Sequence, residues 1–123
     1  MNAALGTASI LTLAVAAAHS YLGERYILIR LFRTAAIPHL FGSDVFTRRT
    51  LRLAWHLTTI AWMGAAALFW VLGRGRPRDG IRVLSGTFLI TALVILVGSR
   101  GRHLAWPVFL AIAVAAWFGA PLQ

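Results

Sequence analysis

Four long apolar runs divide the chain, at residues 3–21, 53–72, 83–98 and 104–119, and the charged residues gather between them. A helix rises about 1.5 Å per residue and a hydrocarbon core is about 30 Å thick, so a span needs roughly 20 apolar residues. The first two runs reach that length. The last two fall short, and are expected to extend into their flanks or to sit where the bilayer thins. No Arg, Asp or Glu stands in the middle of any run, as a span requires when a mid-bilayer charge costs at least a few kcal/mol. Trp55 and Trp70 bracket the second run, and Trp106 and Trp117 the fourth, as indoles do at the two membrane interfaces. The pattern predicts an all-α polytopic membrane protein: four transmembrane helices in one bundle, forming a single domain over residues 1–123.

The connections differ in kind. From Glu24 to Arg33 long apolar residues mix with Arg25, Arg30 and Arg33, so either the first helix continues or a short interfacial helix lies in the first loop, its arginines reaching toward headgroups. Pro38 and Gly42 then break the segment, and Ser43 or Asp44 is placed to cap the helix that follows. Residues 73–80 read as a tight polar turn. No Lys or Arg precedes Arg25, so the first run is expected to remain as a span despite the small residues Ala16, Ala17 and Ala18. Small residues at spacings of four, Ala14 with Ala18 and Ala61 with Ala65, are candidates for close helix packing.

Composition sharpens this picture. With 59% hydrophobic and 12% charged residues, a soluble domain could not hide so much apolar surface. The net charge of +9 comes from twelve arginines and no lysine against three acids. Those arginines divide between two membrane faces and accompany no recognition motif, so nucleic acid is excluded as a partner. The expected partner is instead a lipid bilayer with anionic headgroups, which guanidinium grips through paired hydrogen bonds. Eight arginines fall at the first and third loops and four at the second. Arginine retention on the cytoplasmic side then predicts an integral protein of a bacterial inner membrane, with both termini outside. Cysteine is absent, which removes disulfides, thiolate catalysis and cysteine-ligated metals. No phosphate- or dinucleotide-binding glycine motif is present.

Candidate chemistry resides in four histidines that share one end of the threaded chain. His19 lies about 10 Å and His56 about 6 Å inside the boundary, given helical rise. His103 opens the fourth run and His39 sits in the first loop. Imidazoles gathered at a membrane level are candidate ligands for a divalent metal, with Glu24 alongside, or for haem b held by His19, His56 and His103, with Arg52 pairing a propionate. Against this, any one histidine can be satisfied by a carbonyl or by Ser20, Thr58 or Thr59. There is no HxxxH or HExxH pairing. Glu24 is expected to pair with Arg25 and Asp44 with Arg48. On a regular helix His19 and Glu24 point about 140° apart. Without a positioned base, enzymatic activity has little support.

Three readings follow. The first is a bundle that binds haem or a divalent metal at one membrane face. The second is a small transporter or channel subunit working as a homo-oligomer, and the third an accessory subunit of a larger membrane complex. The chain is similar to the small multidrug transporters and the fluoride channels in length and span count alone. It has no carboxylate within the first run and no matching channel motif, so no residue role carries across.

Overall fold

In lipid a segment must satisfy its backbone internally, and a helix does so within one stretch of chain. The computed structural model describes residues 1–119. It forms four helices, α1 Ala3–Leu31, α2 Val45–Gly73, α3 Pro77–Gly98 and α4 Ala105–Gly119. Among the described residues the only β-type pairing is a Leu40–Ser43 bridge. The first three helices are long and apolar enough to cross a membrane; α4 is apolar but shorter. Residues 120–123, and with them the predicted position of the carboxyl terminus, lie outside the described residues.

The helices outrun the apolar runs that announce them. The first continues from residue 21 to Leu31, the second starts at Val45 rather than 53, and the third at Pro77 rather than 83. Helices of 29 residues span about 43 Å, so their charged ends extend past the hydrocarbon, where hydropathy gives no signal. A separate interfacial helix therefore does not form. Instead α1 passes through a π-helical segment, Gly23–Leu28, in which the Ile29 N–H donates to the Glu24 carbonyl five residues back.

Neighbours in sequence are neighbours in space. Helix α1 packs on α2, α2 on α3 and α3 on α4, while among the described residues α1 packs against neither α3 nor α4. The bundle is thus an open row. At one end the Asn2 N–H donates to the Gly73 carbonyl, 2.8 Å; the α1–α2 and α3–α4 connections share the other. Hydroxyls join the row laterally, with Ser9 Oγ donating to the Ala66 carbonyl at 2.8 Å and Ser85 Oγ to the Ala113 carbonyl at 2.7 Å. Such bonds and close packing hold helices together in lipid, where burial of apolar surface drives little. The packing stripe of α1 is Gly6, Ser9, Ala16 and Gly23. Ala14 and Ala18 are exposed, because alanine is common on every side of this helix and its spacing alone marks no face.

Helix ends use two solutions to one problem. After α2, the Arg76 N–H reaches the Val71 carbonyl and the Gly75 N–H the Leu72 carbonyl, with Gly75 left-handed at φ 70°. After α3 the same pair of bonds recurs from Gly101 to Leu96 and from Arg100 to Val97, but here the position equivalent to Gly75 is Arg100, left-handed at φ 52° and followed by Gly101 at φ 77°. Glycine is the usual occupant of that position, since a Cβ is disfavoured there.

Asp44 stands before α2 without capping it; its carboxylate turns to Arg48, whose Nε donates at 2.7 Å. That hydrogen bond, aided by the Arg48 and His39 charges and opposed by desolvation, holds the Asp44 carboxyl below its ordinary 3.8. A depressed carboxyl contributes stability above the unfolded value and loses it as pH falls through the folded one. In thermal unfolding across about pH 5 to 2, the parent should lose its advantage over Asp44→Asn at the acid end. Parallel profiles would contradict this pairing.

Candidate functional site

The site is built where the end of α1 meets the beginning of α2. Ser20 and Glu24, four residues apart on α1, share a face, and His56 of α2 fits between them. Its Nδ1 lies 2.8 Å from Ser20 Oγ and its Nε2 3.3 Å from Glu24 Oε2. Because an ionised carboxylate only accepts, Glu24 fixes the neutral imidazole as the Nε2–H tautomer and leaves Nδ1 to accept the Ser20 hydroxyl proton. Arg52, one turn before His56, forks onto the same carboxylate, with a terminal nitrogen at 2.8 Å from Oε1 and Nε at 3.2 Å from Oε2. Glu24 therefore pairs across the interface, and not with its neighbour Arg25. The expected Asp44–Arg48 pair does form.

Aromatic groups fix the partners in place. The Arg52 guanidinium lies 5.1 Å from the centre of the Phe32 ring, and Arg48 donates to the Phe32 carbonyl just past the end of α1. One turn deeper, the His19 ring lies parallel to Trp55, centroids 4.5 Å apart, and is flanked by Trp62 at 4.8 Å. The Trp55 Nε1–H donates to the His19 carbonyl at 3.1 Å. This packing needs Gly23, since a Cβ there would sit 2.0 Å from Trp55 Nε1. His19 Nε2 is buried without a protein hydrogen-bond partner. The hydrogen-bonded network is instead open to the mouth of the bundle: the side chains of Glu24, His56 and Arg52 are 31%, 34% and 49% exposed.

Of the sequence candidates, His19, His56, Glu24 and Arg52 meet at the α1–α2 interface. His39 is exposed in the first loop. His103 lies at the α3–α4 connection, where its Nδ1 accepts the Ala105 N–H at 3.3 Å. Ser20, Trp55 and Phe32 complete the site, and of these only Ser20, a hydroxyl next to His19, carries a signal in the sequence. Among the described residues no group of three or more histidines and carboxylates converges to hold a metal ion. The arrangement also does not fit a bis-histidine haem: both nitrogens of His56 are engaged, and Trp55 and Trp62 pack against the ring of His19. What the network can do chemically is pass a proton among hydroxyl, imidazole and carboxylate, with Arg52 fixing the carboxylate.

No protein-family model, no curated protein and no solved structure matches this chain.

Proposed function

We propose that this chain is a small transporter or channel subunit that works as a homo-oligomer and moves protons, alone or with a coupled solute, through the Ser20–His56–Glu24 network. The observation that carries the reading is a titratable carboxylate inside a membrane-length helix, bonded across the interface to an imidazole and held by a guanidinium. The network stands at the mouth of the bundle, where the charged helix ends leave the hydrocarbon, and ionisable groups bonded between two spanning helices are characteristic of ion pathways and proton relays. The open row supports self-association, since two faces of one helical layer remain available to further copies of the chain. The arginine bias of eight to four supports reading this end as the cytoplasmic mouth of a bacterial inner-membrane protein.

The reading is tested in liposomes carrying an imposed pH gradient and an internal pH dye. The purified protein should dissipate the gradient well above protein-free vesicles, and Glu24→Gln should lower that rate at least tenfold, the loss expected of a general acid–base group. A parent protein no faster than empty vesicles would sink the proposal.

A further inference from the structure

At the same mouth as the Glu24 network, toward the α3–α4 side of α2, lies a cavity of about 530 Å³. It lies between the Leu40–Ser43 turn, the first turns of α2 and the α3–α4 connection. Arg49, Arg100 and Arg102 line it, together with His103. The chain has only three acids, and all are committed elsewhere: Glu24 to Arg52, Asp44 to Arg48, and Asp79 to Arg76 and Arg82. Among the described residues, therefore, no carboxylate pairs with the three guanidiniums around this cavity. His103 adds a donor, because its Nδ1 already accepts the Ala105 N–H and the neutral ring must then carry its proton on Nε2.

The remaining wall is mostly apolar, with the hydroxyls of Ser43, Thr50 and Ser99 set into it, and both turns bordering the cavity adopt left-handed conformations that glycine would adopt more easily. Phe41, φ 57°, stands at the tip of the first turn with 91% of its surface exposed. Arg100, φ 52°, holds the position filled by Gly75 at the end of α2. A bulky residue in this region calls for a reason. Here each places a binding group at the rim, one apolar and one cationic.

We infer that this cavity binds the phosphate of an anionic phospholipid, with the guanidiniums and the His103 donor on the headgroup and Phe41 and Leu53 against its acyl chains. A zwitterionic headgroup brings its own cation to the three arginines and fits less well. Inorganic phosphate shares the recognised group but has nothing to place against the apolar wall.

Native mass spectrometry of the intact protein released from nanodiscs of phosphatidylcholine and phosphatidylglycerol tests this. The parent should retain phosphatidylglycerol selectively. Arg100→Gly should weaken retention about fivefold and its combination with Arg49→Gln roughly 25-fold, following the usual contribution of a basic residue at an anionic surface. Arg100→Gly should also raise the thermal midpoint, because glycine suits the left-handed position, so lost lipid cannot be ascribed to misfolding. Glu24→Gln should retain lipid like the parent, which separates this site from the proposed proton path. Undiminished phosphatidylglycerol in the double variant, or equal retention of phosphatidylcholine by the parent, would overturn the proposal. Adducts of inorganic phosphate without retained phosphatidylglycerol would overturn the assignment to lipid.

Discussion

Gly23→Ala is expected to separate α1 from α2 at the functional site. The added Cβ falls 2.0 Å from Trp55 Nε1 and 2.3 Å from Cε2, inside any tolerable contact, and an indole between two helices has no room to yield. Trp55 must leave, losing its bond to the His19 carbonyl and its stack on the His19 ring. Overpacking of this kind costs about 1–3 kcal/mol and a lost hydrogen bond about 1 more, so a loss near 3 kcal/mol is expected. Unfolding in mixed micelles, followed by tryptophan fluorescence, measures it. A Gly23→Ala, Trp55→Ala double variant should be no less stable than Trp55→Ala alone, because the clash requires both groups. Additive losses would show that Gly23 matters for some other reason.

The second large effect is predicted at the α2–α3 interface, where Gly64→Ala should cost about 2 kcal/mol. A Cβ at Gly64 would lie 2.4 Å from Thr87 Oγ1 and 2.6 Å from its Cγ2. Threonine is short and stiff about χ1, and this one already donates to the Val83 carbonyl at 2.8 Å, so the helices must move apart. Thr87→Ala should restore most of the stability of the alanine variant. By contrast Gly86, whose Cβ would meet nothing within 4 Å, should accept alanine with little change, and that pair of results distinguishes packing from general loss of glycine.

The four helices were legible because hydropathy reports the requirement that lipid imposes on every span. Their ends were not. Arg48, Arg49 and Arg52 occupy the first turns of α2, and sequence patterning treats such charges as loop, although a helix can carry them once it has left the hydrocarbon. The α1–α2 site was half legible. His19, His56, Glu24 and Arg52 stand out as polar groups in an apolar chain, whereas the cross-helix partners of each depend on the rotation of α1 against α2, which no spacing encodes. The stack of His19 on Trp55 was hidden because Trp55 also fits the aromatic belt. His103 shares the level of His56 but lies at the α3–α4 connection, since the open row separates the two in a way that a closed bundle would not. The cavity beside it was hidden because it is assembled from three connections and helix ends far apart in sequence.

The central claim is that Glu24 and His56 act as one proton-exchanging unit, and a double-mutant cycle on gradient dissipation in liposomes tests it most directly. Glu24→Gln and His56→Ala should each lower the rate at least tenfold, and combining them should add almost nothing, since either loss already breaks the path. All three variants should insert and stay associated like the parent, because the exposed Glu24–Arg52 pair contributes at most about 1 kcal/mol. Parent-like flux in either single variant, or losses that multiply in the double, would contradict the account.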